Sequence, residues 1–138
     1  MRLSLARILK NASEIKSVAE RVEYLKQHDS GPLRAILVAA YNPEIKFLLP
    51  KGKAPYKPSE FERLEGRLIA ETRKLYLFIE GGNANISQLK REQLFIDILE
   101  SIDPEDAELL VHVKDKKLPY KNLGKNIIDK AFPGLIPT

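Results

Sequence analysis

Apolar residues recur at steps of three and four along most of the chain, the repeat that one face of an α-helix imposes. Ile15, Val18, Val22 and Leu25 follow it after Asn11-Ala12-Ser13-Glu14, a capping box in which Glu14 reaches back to the amide of Asn11. Lys16, Glu20, Glu23 and Lys26 fall on the opposite, polar face. A shorter helix is expected before it, around Leu3 to Lys10. Ser30-Gly31-Pro32 opens a third, through Leu33, Ile36, Leu37 and Ala40, which stops before Pro43. It is apolar on nearly every side, which predicts a central place in the core. A second capping box, Ser59-Glu60-Phe61-Glu62, starts a helix of about five turns along Phe61, Leu64, Leu68, Leu75 and Ile79. Gly81-Gly82-Asn83 closes it. Ser87 caps a fifth helix carrying Leu89, Ile96, Leu99 and Ile102. Asp103-Pro104-Glu105 starts a sixth through Leu110, Val111 and Val113. Asn122 or Gly124 introduces the last, with Ile127, Ile128 and Ala131, and Phe132-Pro133-Gly134 stops it. No segment alternates as a strand would, and no internal repeat is visible. The expected fold is all-α, a compact bundle of six or seven helices.

Residues 42–58 interrupt this pattern. Pro43, Pro50, Pro55 and Pro58 deny the segment a regular ladder of hydrogen bonds. Ile45, Phe47, Leu48, Leu49 and Tyr56 still supply apolar anchors, so an ordered loop is expected rather than a linker. Length and composition agree with one folded unit: 138 residues suit a single domain over 1–138, and 43% hydrophobic against 30% charged residues is too apolar for a disordered chain.

Charge adds more than its total of +4. Ile45 to Lys57 holds Lys46, Lys51, Lys53 and Lys57 and no acid. Lys114 to Lys130 holds six lysines against Asp115 and Asp129. Each stretch carries +4, so the rest of the chain carries −4. Lysines keep loops solvated, and that reading needs no ligand. Two basic segments on an acidic body are also the electrostatic footprint of a polyanion site.

Candidate chemistry is sparse. The absence of cysteine excludes disulfides, thiolate metal sites and cysteine nucleophiles. His28 and His112 are far apart in sequence, which gives a histidine centre little support. Glu105, Asp106 and Glu108 cluster, but acids in a first helical turn complement the helix dipole. Gly81-Gly82 lacks the Lys-Ser/Thr that a phosphate-cradling loop requires. Ser, Thr and Tyr form no nameable constellation. A non-catalytic protein with no cofactor and no metal is therefore expected. No apolar run is long enough to span a bilayer. The start, Met1-Arg2-Leu3-Ser4-Leu5-Ala6-Arg7, is charged too soon for a signal peptide, so a cytoplasmic location is expected.

The C-terminal residues carry a resemblance. Val111-His112-Val113-Lys114-Asp115-Lys116-Lys117-Leu118 and Gly124-Lys125-Asn126-Ile127-Ile128-Asp129-Lys130-Ala131-Phe132-Pro133-Gly134-Leu135-Ile136-Pro137 are similar to the end of one known domain. It is the helical N-terminal DNA-binding domain of ATP-dependent DNA ligases, the small bacteriophage type above all. Leu33 to Tyr41, the loop segment ending in Leu49-Pro50, and Glu71-Thr72-Arg73-Lys74-Leu75 agree in order and spacing. The resemblance implies an all-helical domain that grips duplex DNA through phosphates and the minor groove, in a bacterial cell infected by phage. It also implies a sliding clamp as a partner, because phage domains of this type dock on one. The Lys-x-Asp-Gly motif of the ligases' catalytic domain is absent from these 138 residues, so no sealing activity is expected.

One departure changes the expected site. Asp115-Lys116-Lys117-Leu118 matches the family, but Pro119 stands where its glycine belongs, and Gly124-Lys125-Asn126 resumes about three residues late. In the ligases this turn presents backbone amides to a phosphate. Gly124 is the expected replacement, flanked by Lys121 and Lys125. The expected DNA-binding set is Lys46, Lys51, Lys53, Lys57, Lys116, Lys117, Lys121, Gly124, Lys125 and Asn126. The alternative keeps the scaffold but makes it an adaptor for a sliding clamp, a polymerase or a host protein.

Overall fold

The computed structural model describes residues 3–57, 67–82 and 85–136. Among them are seven α-helices, one 3-10 helix and no sheet, as the periodicity predicts. The helices are α1 (Leu5–Ser13), α2 (Val18–Gln27), α3 (Gly31–Tyr41), α4 (Arg67–Glu71), α5 (Gln88–Ser101), α6 (Pro104–Lys114) and α7 (Lys125–Ala131). The 3-10 helix covers Thr72–Phe78. Four α-helices begin on a serine whose hydroxyl accepts an otherwise unpaired first-turn amide: Ser4, Ser17, Ser30 and Ser87. Asp103 does the same for α6, accepting from the Glu105 N–H at 2.9 Å.

The core is built around α3 and α6. α6 packs against α1, α3 and α5, and α3 also meets α4 and the 3-10 helix. Leu33, Ile36 and Leu37 of α3 are fully buried, as are Ala107, Leu109 and Val113 of α6. Each fully buried leucine or isoleucine contributes about 1.5–3 kcal/mol relative to exposure. α2 covers α1 and α7. Asp106, also fully buried, accepts the Ala6 N–H at 2.9 Å and so ties the start of α1 to α6. Its carboxylate serves another helix's N-terminus as well as its own first turn.

Two boundaries and one buried face differ from the sequence reading. Asn11 does not cap α2: α1 continues through it, and its amide donates to the Tyr24 hydroxyl at 3.2 Å. Ala12 is wholly buried, so packing holds that turn helical, and Ser17 caps α2 instead. The expected long helix winds tighter after Glu71 and becomes 3-10. Leu75 and Phe78 face the core at a spacing of three, which suits three residues per turn. Phe78 meets Phe95 edge-on at 5.3 Å. The capping box Ser59–Glu62, with Phe61 and Leu64, lies outside the described residues. In α5, Leu89 is 81% exposed, and the buried face is formed by Arg91, Phe95, Ile98 and Leu99. Arg91 donates to the Leu77 carbonyl at 3.1 Å, which lets an arginine occupy an inward position.

Candidate nucleic-acid interface

The loop after α3 is fastened to the body at successive points. Phe47 and Ile79 form an isolated antiparallel bridge, with Leu48 N–H donating to the Phe78 carbonyl at 2.7 Å and Glu80 N–H to the Lys46 carbonyl at 2.8 Å. The Gln88 amide donates to the Leu48 carbonyl at 2.7 Å. At the tip, Gly52 adopts a φ of +89°, so its N–H and C=O both turn toward the end of α6. The N–H donates to Asp115 Oδ2 at 3.0 Å, and Lys114 Nζ donates to the carbonyl at 2.6 Å. Lys114 Nζ also donates to Asp115 Oδ1 at 3.0 Å. Further along, Lys57 N–H donates to the Glu100 carboxylate at 2.7 Å.

These anchors leave a groove between the end of α3 and the loop. Tyr41, Ile45, Phe47 and Leu49 give it an apolar floor, and Lys46, Lys51, Lys114 and Lys116 supply its cations. No carboxylate belongs to its lining. Lys46 and Lys51 are exposed, whereas the Lys114 side chain is only 3% exposed.

The remaining expected residues separate by their neighbours. Lys53 is exposed but shares its surroundings with Glu92 on one side and with Glu108 on the other. Lys57 is exposed beside Glu100. Lys116 is a correction to the expected phosphate set. Its ammonium donates to the Ala39 and Asn42 carbonyls, the latter at 2.8 Å, and so satisfies the last turn of α3. Burial lowers its pKa below the usual lysine range. Lys117, Lys121 and Asn126 are exposed and Lys125 is half-buried. Gly124 is the N-cap of α7, without a side-chain cap bond, and Asn126 Oδ1 lies close over it. The turn before α7 is joined to the groove by Tyr41, whose hydroxyl donates to the Leu123 carbonyl at 2.6 Å. Asn122, at a φ of +65°, donates to the Ser13 carbonyl at 3.1 Å.

Lys114, Asp115 and Tyr41 are absent from the expected set because their partners lie 62, 63 and 82 residues away in sequence. The one local sign was Gly52 between two lysines, a position suited to a positive φ. Two other ionisable groups, His112 and Tyr120, are engaged by their surroundings in the fold. His112 Nδ1 lies 2.8 Å from the Glu108 carbonyl, which can only accept, so that nitrogen carries the proton. Tyr120 is held as a phenol by burial and by Glu105, Asp106 and Glu108, which push its pKa well up. Among the described residues no three His, Cys, Asp or Glu gather as a metal site. None of their helices is long and apolar enough to cross a membrane.

No curated protein matches the chain. A family of unknown function, DUF6433, matches residues 8–120, which take in the loop, the groove and the Lys114–Asp115 clamp but not α7. The match spans most of the chain, and the protein belongs to the DUF6433 family.

Proposed function

We propose that this protein is a non-catalytic accessory module that binds double-stranded DNA by its phosphate backbone, with the groove beside α3 as the principal contact. One observation carries the reading: of the lysines lining the groove, Lys46 and Lys51 stand exposed, and the lining holds no carboxylate to oppose them. Lys46 and Lys51 reach solvent there on a backbone fastened at Phe47 and Gly52. Lys53 and Lys57 sit near Glu92, Glu108 and Glu100, which oppose a polyanion, so they contribute less. The similarity of the C-terminal residues to ligase DNA-binding domains supports duplex as the form of nucleic acid. It also supports a phage-infected bacterial cytoplasm as the setting.

A labelled duplex titrated at several salt concentrations tests this. The logarithm of the binding constant should fall linearly with the logarithm of salt, as counterions are released. Lys46→Gln with Lys51→Gln should lower the magnitude of that slope by about 2, because each phosphate contact contributes about 0.9. No measurable affinity at low salt, or an unchanged slope in the double variant, refutes the reading. A second reading, a docking adaptor for a clamp, polymerase or host protein, is favoured by Leu89, 81% exposed at the start of α5. It predicts an association that salt barely changes and that Leu89→Asp abolishes.

A further inference from the structure

A carboxylate beside a polyanion site weakens binding unless it does something else, since like charges at short range repel. Asp115 stands beside the lysine groove, next in sequence to Lys114 and Lys116. We propose that Asp115 is a positioning residue for DNA binding: it holds the Gly52 turn so that Lys51 projects over the groove. The inference rests on the DNA-binding reading above and deepens it.

The geometry supports this in three ways. First, Asp115 uses both carboxylate oxygens inward, Oδ2 on Gly52 N–H at 3.0 Å and Oδ1 on Lys114 Nζ at 3.0 Å. Lys114 Nζ then returns to the Gly52 carbonyl at 2.6 Å and closes a ring of three hydrogen bonds. Both backbone polar groups of one glycine are therefore gripped by two consecutive side chains. Second, the side-chain half of the ring is shielded. The Lys114 and Asp115 side chains are 3% and 14% exposed, so water competes poorly for their bond and the charge of Asp115 is balanced there, while Gly52 itself lies at the surface. Third, the clamp stands on rigid backbone. Lys114 ends α6, and Asp115 is its C-cap, its own N–H donating to the His112 carbonyl at 3.0 Å. On the loop side, Leu49 and Ala54 pack against the core to either side of the turn, but apolar contact does not fix the direction of a peptide. The clamp does.

Asp115→Ala and Asp115→Asn separate positioning from simple electrostatics, because both remove the same unit charge at the same place. If Asp115 acted only as a repulsive charge, both variants would bind duplex DNA more tightly than the native protein, and equally. Positioning predicts the reverse order. Asp115→Ala removes both of its bonds, and of these the one that holds the Gly52 N–H sets the turn, so duplex should bind about 3–10-fold more weakly. Asp115→Asn should fall between it and the native protein, because its amide oxygen still accepts from Gly52. Amide exchange at Gly52 and Lys53, measured without DNA, should speed up in Asp115→Ala while the cores of α3 and α6 stay protected. That protection shows that the variant is folded. Tighter and equal binding by both variants, or unchanged exchange at the turn, overturns the positioning role alone. A native protein that binds no duplex overturns the DNA-binding reading and this inference with it.

Discussion

Lys116 and Lys117 are adjacent, equally charged and differently employed. Lys116 adopts a φ of +65°, lies 5.9 Å from the Phe47 ring centroid and donates to two carbonyls at the end of α3. Lys117 is exposed. Lys116→Met keeps most of the apolar stem but takes the ammonium from the Ala39 carbonyl and from the Asn42 carbonyl, which keeps only the Ile45 N–H at 3.1 Å, so it should cost about 1–2 kcal/mol of stability. Lys117→Met should stay within about 0.5 kcal/mol, the usual range for a surface change. Urea unfolding of the two variants measures the contrast, and equal midpoints would show that the Lys116 bonds contribute nothing net. Sequence counts both lysines alike. It reads charge from composition, but the partners of Lys116 lie 77 and 74 residues away, and no local pattern encodes them. Arg21 is similar: it sits on a helix expected to turn charges outward, yet it is buried, donating to the Ile15 carbonyl at 2.6 and 3.1 Å.

Helix starts were the most legible elements, and their failures have a physical cause. Ser30, Ser87 and Asp103 cap the helices that follow them because each places an acceptor before an apolar-periodic run. Asn11 carries the same local signal, but Ala12 and Leu9 are wholly buried, and burial outweighs a cap exchangeable for another. The connector between α1 and α2 is instead closed by Ser17, which accepts the Glu20 N–H at 3.3 Å, and by Arg21 on the Ile15 carbonyl. Ser17→Ala should therefore cost about 1 kcal/mol. Ser17→Asp should restore the loss, because aspartate caps as well and its charge suits the helix N-terminus. Thermal unfolding of both variants decides this, and a neutral Ser17→Ala would mean that Arg21 alone closes the connector. The switch to 3-10 winding at Thr72 was not readable, since apolar steps of three and four permit either helix over so short a stretch. The Thr72 hydroxyl, donating to the Ile69 carbonyl at 2.8 Å, marks the place.

At the scale of the whole molecule, the two basic segments are linked through Tyr41. Its ring lines the lysine groove and its hydroxyl holds the Leu123 carbonyl, between Lys121 and Lys125 in sequence. The sequence showed both segments, but only the packing of α3 against the turn before α7 makes one surface from them an arguable proposal. If one duplex touches both, Lys121→Gln with Lys125→Gln should reduce the magnitude of the salt slope by about 2, as the Lys46 and Lys51 pair should. Combining all four substitutions should reduce it by about 4, because phosphate contacts at separate places add. Changing Lys121 and Lys125 to Glu should weaken binding well beyond the Gln pair, since repulsion is added to lost attraction. Preference among duplex sequences should not change, because phosphate contacts position a protein without reading bases. Stability should move by no more than about 0.5 kcal/mol, since Lys121 is exposed and Lys125 half-buried. Folded Lys121 and Lys125 variants with the native affinity and slope would confine the DNA footprint to the groove and remove the turn before α7 from it.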